Sequence, residues 1–130
     1  MNSADLAALV ALSGLPDMGP NRLRAVLERG GPSAAWTALA AGRLRSDRRL
    51  IEVCRKQGAE AVARWTEAAQ ATDPAAVLAR HGDLGITVLE PDAPGWPPHL
   101  AEDPDAPLLL IALGEPELLS RRPSVAVVGT

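Results

Sequence analysis

The sequence predicts a mainly helical bundle over residues 1–72, followed over residues 73–130 by the first elements of an α/β domain. Apolar residues recur at helical spacing up to about residue 71, and short continuous apolar runs replace them from residue 86 onward. Such runs, bounded by Gly and Pro, are typical of strands that are buried in a sheet. With 47% apolar residues the chain can also form a real core, as expected of a globular protein.

Several short helices are expected in the first part. Apolar positions at helical spacing stand on both sides of a turn at residues 14–20 (Gly-Leu-Pro-Asp-Met-Gly-Pro), which predicts two helices joined by a tight hairpin. Gly30 and Gly31 end the second helix, and Pro32 opens a third because a first helical turn accepts proline. Asp47 is placed to cap a further helix. We expect roughly four or five short helices in a compact bundle.

The second part begins with a helix and continues with strands. Residues 73–74 (Asp-Pro) combine a cap with a first-turn proline, and the helix they start is expected to end at Gly82. Residues 86–89 and 108–113 each predict a strand. Between them, residues 91–107 contain six prolines, so we expect an ordered connector without regular structure.

A third strand is predicted at residues 124–128 (Ser-Val-Ala-Val-Val), which lead into Gly129 and Thr130. A buried parallel strand that runs into a glycine turn is how a phosphate-binding α/β domain begins, and the ligand-holding helix is expected just beyond the turn. We therefore expect the chain to be the front of a larger protein. Its segment after about residue 105 is then expected to be disordered, aggregation-prone or held by a neighbour.

The net charge of -3 hides an asymmetry. Residues 1–72 carry ten basic and seven acidic side chains, whereas residues 73–130 carry three basic and nine acidic ones. The first part is therefore the better candidate to meet phosphates or an acidic protein face. Twelve of the thirteen basic residues are Arg, whose planar fork suits phosphate.

Neither a secretion signal nor a membrane helix is predicted. Residues 1–12 have no basic start and carry Asp5, and no apolar run approaches the roughly 18 residues that a membrane helix needs. Cys54 is the single cysteine and cannot form an internal disulfide, which agrees with a reducing compartment. We expect a cytoplasmic protein that does not contact a membrane.

The turn at residues 15–20 (Leu-Pro-Asp-Met-Gly-Pro) resembles that of a helix-hairpin-helix element. In such an element the backbone N–H groups at the start of the second helix, here after Gly19, hold a DNA phosphate. Arg22 and Arg24 follow the turn and favour this function. Asp17 stands where a glycine is usual and would repel a phosphate, so a hairpin that only packs two helices stays open as the alternative.

The densest basic cluster consists of Arg43, Arg45, Arg48 and Arg49. These side chains are candidates for contacts with a phosphate backbone. No aromatic residue is interleaved with them to stack on bases, and a solvated helix end is the alternative interpretation.

The three tryptophans are expected to be structural. Trp36 and Trp65 occupy apolar helical positions and are predicted to anchor the core, while Trp96 is predicted to hold the connector in place.

No catalytic constellation is visible in the sequence. His81 and His99 have no Cys or second His nearby to complete a metal site, and Asp103 and Asp105 lack a third ligand. We expect no enzymatic activity, no metal and no cofactor.

Stretches spread over nearly the whole chain resemble the amino-terminal part of the DprA/Smf family of bacterial DNA-processing proteins. The connector followed by the terminal apolar run is their most specific combination. In chain order the matching stretches are Leu9–Ser13, Leu15–Pro20, Asp73–Pro74, Gly85–Leu89, Trp96–Leu100, Asp105–Pro107 with Leu110 and Gly114, and Arg122–Thr130.

The resemblance implies a SAM-like or helix-hairpin-helix-like domain followed by the beginning of an extended Rossmann fold, here truncated. Proteins of this family bind single-stranded DNA in a basic pocket of that Rossmann domain, form homodimers through it and help load RecA in natural transformation. Gly129 and Thr130 would open the pocket. The resemblance thus implies single-stranded DNA, RecA and a second copy as partners, with this part an auxiliary or interaction module that binds DNA weakly by itself.

Two other classes of function stay open. The first is a fragment of a Rossmann-type nucleotide-binding enzyme, because the glycine turn at Gly129 fits both. The second is a helical protein-docking domain without DNA contact, in which the arginines are solvated surface.

Overall fold

The computed structural model describes residues Met1 to Thr130 and falls into two units, Met1–Leu84 and Gly85–Thr130. The first unit contains six α-helices and the second a two-stranded sheet. The helices are α1 (Ser3–Ser13), α2 (Pro20–Leu27), α3 (Pro32–Ala40), α4 (Arg48–Val53), α5 (Gly58–Gln70) and α6 (Pro74–Asp83), and the strands are β1 (Ile86–Leu89) and β2 (Leu110–Leu113). Short 3₁₀ helices span Arg55–Gln57, Pro98–Leu100 and Pro116–Ser120.

The helices begin where the capping residues predict. A side-chain oxygen of Asp47 accepts from the Leu50 N–H at 3.1 Å, and one of Asp73 accepts from the Ala75 N–H at 3.0 Å. Prolines occupy the first turns of α2, α3 and α6. Gly31, before α3, has a φ of 87°, which glycine adopts without steric cost.

The core of the first unit lies between α1, α3, α4 and α5. Helix α1 packs on α3, α5 packs on α3 and α4, and α2 packs on α4. Trp65 is fully enclosed and Trp36 is buried, which confirms both tryptophans as core anchors. Cys54 is buried as well, and burial raises the pKa of its thiol although the nearby charge of Arg22 lowers it.

Helix α6 packs against α1 and is grouped with the first unit. The Asp-Pro signal at residues 73–74 predicts this helix as the first element of the second part, with the boundary after residue 72. The units divide instead between Leu84 and Gly85. The Asp-Pro signal at residues 73–74 defines where a helix starts, but it carries no information about which core that helix joins.

The second unit holds a small antiparallel sheet, in which Ile86 of β1 lies opposite Leu113 of β2 and Leu89 opposite Leu110. The two strands confirm the predicted apolar runs, although β2 begins at Leu110, two residues later than predicted. The connector between them is irregular apart from the 3₁₀ turn Pro98–Leu100, as its prolines predict.

The third predicted strand does not form. Residues 124–130 have no regular structure, and Val125, Val127 and Val128 are 86%, 93% and 91% exposed. A β-branched run favours an extended backbone, but a strand also needs a neighbour whose N–H and C=O groups pair with its own. No such neighbour pairs with these residues in the structure.

The protein is therefore mainly helical, with a small two-stranded sheet. None of its helices has the length and apolar run needed to cross a membrane.

Candidate nucleic-acid interface

A hydrogen bond and an ion pair hold the turn between α1 and α2 against α5. The indole Nε1 of Trp65 donates to the carbonyl of Pro16 at 2.8 Å. Asp17 has a φ of 55°, its carbonyl accepts from Arg22 Nη1 at 2.9 Å, and its carboxylate lies 3.3 Å from Arg64 Nη2. The left-handed backbone at Asp17 explains why glycine is usual in turns of this kind. The carboxylate expected to repel a phosphate is thus paired with an arginine.

Helix α2 starts without a side-chain cap. Gly19 is its N-cap residue and has no side chain to accept from the first N–H groups. Arg22, in the first turn, donates to Gln57 Oε1 at 2.7 Å in addition to the Asp17 carbonyl. Both acceptors are uncharged, so they position the guanidinium and leave its positive charge uncompensated.

Two depressions on the first unit share Asn21 and Val53 and therefore adjoin. We call them together the α2–α4 groove. The first, of about 300 Å³, is lined by Asp17, Gly19, Pro20, Asn21, Arg22, Val53 and Arg55. The second, of about 330 Å³, is lined by Asn21, Arg24, Ala25, Glu28, Arg49 and Val53.

Positive charge exceeds negative charge in the α2–α4 groove. Four arginines line it against two carboxylates. The carboxylate of Glu28 lies 3.9 Å from Arg49 Nε, and both side chains are more than half exposed, so this pair contributes little to stability. The guanidinium of Arg49 can therefore exchange this protein carboxylate for a ligand's phosphate.

An ion pair joins the end of α2 to the start of α4. Arg29 approaches Asp47 with Nη2 at 2.9 Å from Oδ1 and Nε at 2.7 Å from Oδ2. Burial by itself raises the pKa of the Asp47 carboxyl, but hydrogen bonds from the Leu50 N–H and from Arg29 outweigh it, and the pKa is lowered. This pair fixes the two helices that carry the walls of the groove.

The structure brings together only some of the predicted site residues. Gly19, Arg22, Arg24 and Arg49 line the α2–α4 groove. The other members of the basic cluster line neither depression and are exposed; they are Arg43, Arg45 and Arg48. Successive residues of a helix point about 100° apart, so α4 presents Arg48 and Arg49 in different directions.

Gly129 and Thr130 lie in the second unit, in its exposed last segment. The glycine turn has the expected positive φ, 136° at Gly129. No hydrogen bond to either residue is formed, so the turn offers no assembled phosphate cradle in this chain.

Two groove residues were missed from the sequence, Arg55 and Asn21. Arg55 follows the end of α4 and has a φ of 53°. The basic pair Arg55-Lys56 stands just before Gly58, where a helix is expected to break, and this pattern could have identified Arg55 as a candidate binding residue.

His81 and Asp103 each have a structural partner. His81 Nδ1 donates to the Val77 carbonyl at 2.8 Å, and Asp103 Oδ1 accepts from the Asp105 N–H at 2.8 Å in a local turn. No group of three or more His, Cys, Asp or Glu residues is placed to hold a metal ion. The chemistry that the α2–α4 groove supports is binding of an anion.

Comparison of the chain with protein-family models, with curated proteins and with solved structures finds no match.

Proposed function

We propose that the α2–α4 groove binds the phosphate backbone of single-stranded DNA, as an auxiliary module of a DprA/Smf-like protein. The observation that carries this proposal is the convergence of four arginines, from α2, α4 and the turn after α4, on one groove beside an uncapped helix start. Guanidinium groups and free backbone N–H groups are the donors that proteins use for phosphate.

The same proposal includes the finer assignments that the resemblance implies. The first unit is then a SAM-like or helix-hairpin-helix-like domain and the second the opening of an extended Rossmann fold. The whole protein would act in the cytoplasm, as a homodimer that delivers single-stranded DNA to RecA. These assignments rest on the sequence stretches that resemble the DprA/Smf family.

Binding is expected to be weak and independent of base sequence. The chain has no Phe or Tyr, and its tryptophans Trp36, Trp65 and Trp96 are all buried, so no aromatic face is available to stack on bases. Electrostatic contacts to the backbone release counterions and weaken with salt. If all four groove arginines contact phosphates, the logarithm of the binding constant falls against the logarithm of salt with a slope of about -3.

The test is a fluorescence-anisotropy titration of a labelled single strand at low and moderate salt, with two matched double variants. Arg49→Glu with Arg55→Glu reverses two exposed groove charges, and Arg43→Glu with Arg48→Glu reverses two exposed charges outside the groove. Both variants have the same net charge, so long-range repulsion of DNA is alike. We expect a loss of about tenfold or more in the groove variant and a clearly smaller loss in the control. Equal losses would contradict the groove assignment.

A protein-docking domain is the second candidate, and the hydrogen bonds that Arg22 makes within the protein favour it. Arg22, which a DNA-binding hairpin would direct at a phosphate, donates instead to Asp17 and Gln57. For a docking domain, neither double variant changes the DNA titration, while both keep the helical circular-dichroism signal of the parent chain.

A further inference from the structure

The α2–α4 groove consists of two halves with the same kind of lining. The first depression, of about 300 Å³, holds Arg22 and Arg55, and we call it the Arg22 half. The second, of about 330 Å³, holds Arg24 and Arg49, and we call it the Arg24 half. Each half thus receives one arginine from α2 and one from α4 or the 3₁₀ helix after it. None of these arginines lines both halves, so the four charges are divided into two pairs.

The two arginine pairs are separated along both helices. Arg22 and Arg24 are two residues apart on α2, so they leave the helix in different directions. On α4, Arg49 precedes Val53 by four residues, a rise of about 6 Å, and Arg55 follows beyond Val53. Because Val53 lines both halves, it lies between the two pairs. The arrangement therefore suits two successive phosphates of one strand better than a single phosphate.

The wall shared by the two halves carries no charge. It consists of Asn21, which is exposed, and Val53, which is half-buried. The methyl groups of Val53 can pack on the C–H groups of a deoxyribose, and the carboxamide of Asn21 can hydrogen-bond its oxygens. Charged pair, neutral wall and charged pair thus follow one another as phosphate, sugar and phosphate do in a strand.

Each half of the groove also contains one carboxylate. Asp17 lines only the Arg22 half and Glu28 only the Arg24 half, and in the chain they stand on opposite sides of the α2 arginines. Their side chains are 56% and 53% exposed, so a strand in the groove would meet them. Four positive and two negative groups leave a net charge of +2, equal in magnitude to the charge of two phosphodiesters. A third phosphate would add only repulsion from a carboxylate.

We propose that the groove takes a two-phosphate segment of a single strand, with one phosphate in each half and the connecting sugar on Asn21 and Val53. This inference rests on the proposed function and specifies which part of the strand is bound. Two arginines share each phosphate, so only two phosphates are neutralised. The logarithm of the binding constant should then fall against the logarithm of salt with a slope of about -1.4, instead of the slope of about -3 expected for four separate phosphates.

Anisotropy titrations with three labelled thymidine oligonucleotides of one length test the spacing. The first strand is fully charged. The other two carry equal numbers of charged linkages and have neutral methylphosphonates elsewhere, so they differ only in order: in the paired strand the charged linkages are adjacent two by two, and in the alternating strand none is adjacent. We expect the paired strand to bind about fivefold or more tightly than the alternating one, because it fills both halves at once. Its salt slope should be about -1.4, against about -0.7 for the alternating strand.

Single variants locate the effect in the two halves. Arg49→Gln weakens the Arg24 half and Arg55→Gln the Arg22 half, and each should reduce the preference for the paired strand to less than about twofold. Arg48→Gln is the matched control, because it removes the same charge from an exposed neighbour that lines neither half, and it should keep the preference. All three side chains are exposed, so the fold is kept.

The outcomes separate this inference from the proposed function. A parent chain that does not bind the fully charged strand would overturn both. If it binds that strand but takes the paired and alternating strands with equal affinity, the two-phosphate segment is wrong and DNA binding at the groove stands. A salt slope near -3 with the fully charged strand would overturn the limit of two phosphates, and a preference that persists in Arg49→Gln and Arg55→Gln would overturn its placement in the two halves.

Discussion

The two units of this protein differ in how completely they bury their own apolar side chains. In Met1–Leu84 the only large apolar residues left exposed are Met1 and Leu84. In the much shorter Gly85–Thr130 there are seven: Ile111, Leu113, Leu118, Leu119, Val125, Val127 and Val128. The first unit completes its core from its own helices, whereas the second leaves a strand edge and an apolar segment without partners.

Charge divides the units in the same way. The first carries eleven basic and nine acidic residues, a net charge of +2, and the second carries two basic and seven acidic residues, a net charge of -5. A complete core with a basic groove suits an anionic ligand, and an incomplete apolar surface suits another protein chain. We therefore place the proposed ligand binding in the first unit.

The largest expected effect is a loss of stability when the core of the first unit is disrupted. Trp65→Ala removes a fully enclosed side chain and the hydrogen bond to the Pro16 carbonyl, and should lower the free energy of unfolding by about 3–5 kcal/mol. Trp96→Ala, the matched change in the second unit, should leave the helical signal of the first unit nearly unchanged. Urea unfolding followed by far-ultraviolet circular dichroism measures both. An equal loss of helix in the two variants would contradict the placement of Trp65, and not of Trp96, in the core of the helical unit.

A smaller effect is expected at the cap of α4. Asp47→Ala removes the cap and the partner of Arg29, and should cost about 1–2 kcal/mol. Asp47→Asn keeps a capping oxygen and removes the charge, so it isolates the ion pair with Arg29.

The pH dependence of this pair has a definite sign. Because the pKa of Asp47 is lowered in the folded state, its charge stabilises the fold above the ordinary carboxyl pKa, and this contribution is lost as the pH falls through the folded value. The gap in unfolding free energy between the parent chain and Asp47→Asn should therefore close as the pH drops below about 4. A gap that stays constant down to acid unfolding would show that Arg29 and Asp47 do not interact electrostatically.

These examples show which features local sequence predicts. The caps at Asp47 and Asp73 and the first-turn prolines act within one helical turn, so residue order alone predicts them. The assignment of α6 to the first unit and the unpaired state of residues 124–128 depend on partners distant in sequence. Four of the predicted binding residues, Gly19, Arg22, Arg24 and Arg49, lie in one groove because α2 and α4 pack together, which no local pattern encodes.

Asp17→Gly tests whether the α2–α4 groove of the first unit binds DNA. The change relieves a positive φ and removes an exposed ion pair with Arg64, so stability should change by less than about 0.5 kcal/mol. It also removes a negative charge from the groove, and the affinity for single-stranded DNA should rise by about twofold to threefold. Anisotropy titration measures the gain, and an unchanged affinity would favour a hairpin that only packs two helices.

The smallest expected effect concerns the apolar segment of the second unit. Val127→Thr keeps the shape of an exposed side chain, so the unfolding free energy of the monomer should stay within about 0.5 kcal/mol of the parent value. Thermal unfolding of dilute samples measures this free energy. A larger loss would mean that this segment already contributes to the fold of a single chain.

The most direct test of the whole account is a map of amide chemical-shift changes by NMR as a single-stranded oligonucleotide is added at low salt. We predict changes at amides lining the α2–α4 groove, such as Asn21, Arg24, Arg49 and Arg55, that reverse when salt is raised, with none in Gly85–Thr130. Changes confined to the turn that carries Arg43 and Arg45, or to the second unit, would contradict the assignment of DNA binding to this groove.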